Sequence, residues 1–283
     1  MDYKLIFDTI VENTVQYLID NNIKAMVLGI SGGIDSTVCA AICREVKRKT
    51  GIPLIGRSLR IKNKHDEYSA SVLVGNAFCD DFKEIDLSNG YNNLYDAITI
   101  NECGVNKQTL IADGNIQARL RMIYLYNLAG INKGLVIDTD NLSEHYLGFF
   151  TINGDVGDLN PIGNLWKTEV YELAHYLSEV YNFNNDVEAF MAMEASIKLT
   201  PTDGLGISNS DLEQIGAKSY NDVDDILKTI ITKEGNINIY SNKFKQLSET
   251  YGFDVLTKIV DRHLKSQFKR VKLPIVVDYK KDK

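Results

Sequence analysis

Ten residues decide the fold: Val27-Leu28-Gly29-Ile30-Ser31-Gly32-Gly33-Ile34-Asp35-Ser36, or VLGISGGIDS. The apolar run Ala25-Met26-Val27-Leu28 ends at Gly29, and Val38, Ile42 and Val46 follow at the i, i+4, i+8 spacing of one helical face. The order is strand, tight loop, helix. Gly32 and Gly33 permit positive φ and leave room for a ligand beside the backbone. Loop N–H groups and a helix N-terminus directed at one point suit an anion such as phosphate. Two glycines alone would equally serve a plain turn. Ser31 and Ser36 add hydroxyls, however, and Asp35 adds a carboxylate that a phosphate would repel unless a cation lay between them. A nucleotide with Mg2+ is the reading. No Lys follows the last glycine, so the loop is not a Walker A motif.

Outward from this loop, the apolar spacing of residues 3–20 predicts an opening helix that stops at Asp20-Asn21-Asn22. The helix after the loop is expected from about Thr37 to Lys49, closed by Thr50-Gly51. Strands are expected over Ile52–Leu59, Asp81–Asp86 and Gly134–Asp138. Helices are expected over 66–77, 91–100, 110–129 and Lys167–Tyr181. This alternation implies an α/β fold, a doubly wound parallel sheet flanked by helices. Ligands then bind beyond the carboxyl ends of the strands, where Gly29–Ser36 and Thr139-Asp140 fall. Gly148 to Trp166 reads as a long loop, and 195–216 as a mobile flap. Residues 219–232 and 239–268 read as a helical C-terminal part with a frayed tail.

The 283 residues fit a single domain, 1–283. The net charge of −7 argues against a general basic face for nucleic acid. No stretch is long and apolar enough to span a membrane, and the N-terminus lacks a signal-peptide pattern. Cys39, Cys43, Cys79 and Cys103 form no CxxC pair. Cys39 and Cys43 read as buried thiols, which fits a reducing, cytoplasmic setting.

Three further stretches carry chemistry. Asn115 and Arg119 lie i, i+4 on a long helix and share a face, whereas Arg121 points elsewhere. Asp138-Thr139-Asp140-Asn141 leaves a buried strand ahead of Glu144. Asn141 and Glu144 fit a capping box, and Glu144 equally fits a metal ligand beside Asp35; the sequence leaves both open. The third is Gly148-Phe149-Phe150-Thr151, then Gly154-Asp155-Val156-Gly157-Asp158 and Asn160-Pro161, followed by Lys167. Its carboxylates would also serve to hold turns.

Ser31–Ser36 resembles the SGGxDS pyrophosphate loop of the N-type ATP pyrophosphatases. With Gly114–Arg119, Asp138–Asn141 and Glu144, Gly148–Pro161, Lys167, Pro201-Thr202, Tyr220–Leu227 and Lys269-Arg270 in this order, the chain resembles the NAD synthetase family over nearly its whole length. The resemblance implies an adenine nucleotide alpha hydrolase-like fold and an ammonia-dependent ligase. Such an enzyme adenylates the carboxylate of deamido-NAD with ATP, then forms NAD and AMP as ammonia displaces AMP. It implies that Asp35 and Glu144 bind Mg2+. It implies ATP contacts at Gly29, Ile30, Ser31, Gly32, Gly33, Ile34, Asp35, Ser36, Thr139, Lys167 and Thr202, with Asp35 and Lys167 catalytic. Arg119, Asp158 and Lys269 would meet deamido-NAD. A homodimer is implied, with the opening helix and residues 110–129 contributing. No glutaminase domain is read in the sequence, so ammonia is expected to be used directly or supplied by a separate glutaminase.

Four positions depart from the family pattern. Ile152 stands where the family has Lys, and Phe268 where it has His. The loop GDVGD is one residue short, and Asp138 replaces a glycine. Arg57 and Arg60 flank the place of an expected arginine. The ATP half matches the pattern more faithfully than the acceptor half. Two competing readings follow: an amide ligase of the same class acting on another carboxylate, or a non-catalytic nucleotide-binding paralogue. With Asp35 placed in a loop, Asp35→Asn is expected to abolish pyrophosphate release with little loss of stability.

Overall fold

The computed structural model describes residues 1–61, 65–99, 107–199, 211–231 and 241–271. Strands β1 (Met26–Gly29), β2 (Leu54–Arg60), β3 (Asp81–Asp86) and β4 (Leu135–Val136) form one sheet in the order β3-β2-β1-β4, with every pairing parallel. The chain builds outward from β1 through β2 to β3, then crosses to the other side of β1 for β4. The reversal puts a topological switch point between the carboxyl ends of β1 and β4, where ligands enter open α/β sheets.

The helices are α1 (Tyr3–Asp20), α2 (Ile34–Thr50), α3 (His65–Phe78), α4 (Ser88–Thr99), α5 (Lys107–Ile131) and α6 (Leu142–Leu147). They continue as α7 (Lys167–Phe183), α8 (Val187–Lys198), α9 (Asp211–Ile215), α10 (Tyr220–Ile230), α11 (Asn242–Tyr251) and α12 (Phe253–Lys265), with a 3-10 turn at Gln267–Arg270. Period-two alternation in β1 sends Met26 and Leu28 to one face of the sheet and Val27 to the other. Met26 and Leu28 pack with Val38 and Ile42 of α2 and Leu173 of α7. Val27 packs with Ile55, Val136 and, from α5, Met122 and Leu125. Helices thus cover both faces, as the α/β pattern requires. A separate core of Leu147, Val223, Ile226, Leu256 and Ile259 holds the C-terminal helices to α6.

Several boundaries differ from the sequence reading, each for a physical reason. The helix after the loop starts at Ile34 rather than Thr37, because Gly33 takes extended angles and serves as its N-cap. Asp35 and Ser36 therefore lie in the first helical turn and not in a loop. The strand expected over Gly134–Asp138 pairs with β1 only at Leu135 and Val136, and Ile137 instead bridges to Leu159 in the following loop. Of the expected flap, 195–198 belongs to α8 and 211–215 to α9, while 200–210 lies outside the described residues. The α8 helix was hidden by its composition. Its buried Ala189, Ala192, Met193 and Ser196 are mostly too small to mark an apolar stripe. Residues 239–268 split into two helices at Gly252, whose φ is +88°. Cys39 and Cys43 are buried in the core, and burial raises both thiols above their ordinary range. Cys103 and the tail from 272 lie outside the described residues.

Candidate active site

Two helices begin at the switch point, α2 after β1 and α7 after the long loop. The loop between β1 and α2 turns at Gly32, whose φ of +88° is a conformation that side chains rarely adopt. Ser31 and Ser36 share a hydroxyl hydrogen bond of 3.0 Å, and Ser36 also donates to the Gly33 carbonyl at 3.0 Å. No side chain caps α2. Its first-turn N–H groups and dipole face the carboxyl end of the sheet, an arrangement that suits phosphate.

Asp35, Glu144 and Lys167 meet there. Lys167, the first residue of α7, is 1% exposed. Its Nζ donates to Asp35 Oδ2 and to Glu144 Oε1, the latter at 3.1 Å. Burial alone would lower the ammonium pKa, but the two carboxylates outweigh it and hold Lys167 charged well above its ordinary range. Glu144 is driven the other way. Burial, opposed by Lys167, pushes its carboxyl up to about 7. Asn141 Nδ2 donates to Asp35 Oδ1 at 2.9 Å, so Asp35 is gripped from both sides.

The capping-box reading of Glu144 is realised. Asn141 Oδ1 accepts from the Glu144 N–H at 3.1 Å, and Glu144 Oε2 accepts from the Asn141 N–H at 3.2 Å, closing a capping box on α6. The other carboxylate oxygen remains for Lys167. The capping box aims Glu144 so that Oε1 faces Lys167. Among the described residues no set of three or more His, Cys, Asp or Glu side chains forms a metal cluster. Two hard carboxylates converging on one point still fit Mg2+, which takes one or two protein carboxylates beside substrate phosphates.

The residues expected on the acceptor side form a separate assembly. Asn115 Oδ1 accepts from Thr151 Oγ1 at 2.9 Å, and the exposed Arg119 donates to the Ile152 carbonyl at 3.0 Å. Arg121 turns away to the Leu59 carbonyl at 3.1 Å, as its spacing predicts. Lys269 Nζ donates to the carbonyls of Gly148, at 2.8 Å, and Phe150. Burial, then the charge of Arg262, lowers its pKa. Asp158 is not drawn to this group; its Oδ2 accepts from the Val136 N–H at 2.9 Å and pins the loop to β4. Asp138, in place of a glycine, accepts from the Asp140 N–H at 3.0 Å. A Cβ on Gly157 would lie 2.7 Å from the Asp138 nitrogen, so only glycine admits this approach. Thr139 is half-buried next to Asp138, and Thr202 lies outside the described residues. Arg57 is a structural group: it is buried in β2 and donates to Asp81 Oδ2 at 2.6 Å.

Sequence reasoning missed Asn141 as a partner of Asp35, and Ser143 and Asp224 behind Lys167. Asn141 carried a capping signal and a place in the Asp138–Asn141 match, Asp224 lay within the Tyr220–Leu227 match with no role attached, and no pattern singles out Ser143.

Comparisons with known proteins bear on the family and the fold. Residues 6–274 match the model of a family described as NAD synthase. The chain is 29% identical to an NH3-dependent NAD+ synthetase of Campylobacter jejuni subsp. jejuni, over 98% of this chain and all of that one. It is 32% identical to the NH3-dependent NAD+ synthetase of Thermoplasma volcanium, over 87% of this chain and 88% of that one. Among solved structures, the NMN synthetase of Francisella tularensis superposes with a TM-score of 0.76 at 26% identity, over 99% of this chain and all of the other.

Proposed function

This chain belongs to the NAD synthase family, and from that premise we propose that it amidates deamido-NAD with ammonia and ATP, forming NAD, AMP and pyrophosphate. The observation that carries the reading is the meeting of Asp35, Glu144 and Lys167 at the uncapped start of α2. The acceptor carboxylate attacks the α-phosphorus of ATP, and the bond to pyrophosphate breaks. The N–H groups of Gly29 to Ser36, the two serine hydroxyls and Lys167 take up the charge that develops on pyrophosphate. Thr139 and Thr202 complete the ATP contacts. Asp35 and Glu144 would hold Mg2+, which when bound neutralises phosphate charge. Ammonia then attacks the acyl carbon and AMP leaves. No side chain becomes a covalent nucleophile, and catalysis is positioning and electrostatics. Arg119 and Lys269 form the dinucleotide side, and Asp158, bound to the Val136 N–H, holds the loop between them and β4.

The protein acts in the cytoplasm as a homodimer, using free ammonia or ammonia from a separate glutaminase. The exposed Ile123, Tyr126 and Ile131 of α5, with Leu94 and Ile98 of α4, supply an apolar surface for such a dimer.

One observation favours a second reading, in which nicotinic acid mononucleotide is the acceptor and NMN the product. The likeness to an NMN synthetase runs the full length of the chain, and Ile152 and Phe268 remove two basic side chains from the acceptor side. The test incubates the protein with Mg-ATP, ammonium and each acceptor and measures NAD, NMN and AMP. NAD and AMP in equal amounts support the first reading. AMP formed with the mononucleotide, and not with deamido-NAD, would overturn it. Tight ATP binding with no turnover of any acceptor would instead mark a nucleotide-binding paralogue.

A further inference from the structure

The groups that meet ATP in this reading are held in place by helices far along the chain. Asp224 of α10 is buried to 1% exposure and points its carboxylate at the start of α7. Oδ2 accepts from the Thr168 N–H at 2.9 Å, and Oδ1 accepts from Ser143 Oγ at 2.5 Å. Ser143 Oγ in turn accepts from the Lys167 N–H at 2.9 Å. The residue in the N-cap position of α7 is Trp166, whose indole is a donor only and makes no cap hydrogen bond. Asp224 therefore supplies from another helix the acceptor that a local Ser or Asp normally provides. One turn earlier on α10, the Tyr220 ring lies 5.5 Å from Lys167 Nζ. One helix thus meets Lys167 at its backbone and at its ammonium.

Ser143 also sits beside Glu144 on α6. The far end of that six-residue helix is gripped by the same C-terminal layer. Arg262 Nε donates to the Leu147 carbonyl at 3.0 Å, Arg270 Nη1 to the Tyr146 carbonyl at 3.0 Å, and Lys269 to Gly148 at 2.8 Å. A helix this short has little stability of its own. Its position, and that of Glu144, follows from these contacts.

We propose that Asp224 is a positioning residue, which through Ser143 and the Thr168 N–H fixes the start of α7 so that Lys167 faces Asp35 and Glu144. The proposal rests on the reading that Lys167 serves the ATP half-reaction, and the controls separate the two. Asp224→Asn keeps the shape and one acceptor for Thr168 but loses the acceptor for the Ser143 hydroxyl. Ser143→Ala removes the relay alone. Each is made in the full chain, with kcat for pyrophosphate release, KM for deamido-NAD and thermal midpoint measured. The expected result is about a tenfold fall in kcat for either variant, which corresponds to about 1.4 kcal/mol, with KM for deamido-NAD within twofold of wild type. The double variant should be no slower than the slower single one, since both act on one network. An unchanged kcat, whatever the thermal midpoint does, or losses that multiply in the double variant, would overturn the proposal. If Asp224→Asn does not fold, Ser143→Ala carries the test by the same kcat criterion. Lys167→Met is the control on the reading beneath: full activity there sinks the role of Lys167 itself. A dead Lys167→Met beside an unaffected Asp224→Asn sinks only the positioning role.

Discussion

The phosphate loop and the loop from Gly148 to Asp158 are built in opposite ways, although Asp35 and Lys167 beside the first are themselves held by residues far along the chain. Strand β1, the turn at Gly32 and the start of α2 occupy one short run of chain, and the hydrogen bonds of Ser31 and Ser36 close within it. The loop from Gly148 to Asp158 is held from a distance instead: by Arg119, 33 residues away, and by Lys269, 121 residues away. A site made of local backbone is constrained by its own geometry, since few residues permit the φ of Gly32. A site made of remote side chains can change its ligand by exchanging one of them. The departures from the family pattern, Ile152 and Phe268, fall on the remote side.

The comparison breaks hardest at Asp35. Asp35→Asn should lower pyrophosphate release about 10³-fold, the scale of losing one preorganised electrostatic group. Because Asp35 is half of the ion pairing of a buried lysine, it should also lower stability by about 3 kcal/mol, read by urea unfolding. That corrects the expectation of a harmless loop substitution. Full stability would mean that Glu144 alone suffices for Lys167. Next is Lys269→Met, which should raise KM for deamido-NAD about tenfold and leave KM for ATP unchanged in steady-state kinetics, a loss of about 1.4 kcal/mol. A parallel rise in both would show that the two sides are not separable. Gly32→Ala imposes a left-handed conformation on a residue with a side chain, costing about 1 kcal/mol, and should raise KM for ATP but not for deamido-NAD.

The smallest effect lies beneath the ATP side, where the Ile30 N–H donates to the Arg57 carbonyl at 2.9 Å. The hydrogen bond from the Arg57 guanidinium holds the Asp81 carboxyl below its ordinary value of 3.8. A carboxyl with a depressed folded pKa stabilises the protein above its unfolded value and loses that contribution as pH falls through the folded one. The thermal midpoint of Asp81→Asn should therefore sit below wild type at pH 7, by an amount worth about 1 kcal/mol for a half-exposed pair. The gap should close as pH falls below about 3.8. A gap that persisted in acid would assign the loss to packing.

What the sequence made legible follows the same division. The strand, the phosphate loop, the long helix with Asn115 and Arg119 on one face, and the capping box at Asn141 and Glu144 all rest on spacings of a few residues. Each has its expected local form, apart from the earlier start of α2. The partners of Ser143, of Asp224 within the matched Tyr220–Leu227 stretch, and of Lys269 were not legible, because they are set by how the C-terminal helices pack on α6 and not by any local period. The α8 helix was missed for a third reason, since its buried face is mostly alanine and serine.

The central claim is that the start of α2 and Lys167 activate a carboxylate by splitting ATP between its α and β phosphates. The most direct measurement is exchange of labelled pyrophosphate into ATP, with Mg2+ and deamido-NAD present and ammonium absent. The account predicts exchange that requires deamido-NAD and disappears in Lys167→Met. Acceptor-independent exchange, or release of ADP and phosphate in place of AMP and pyrophosphate, would contradict it.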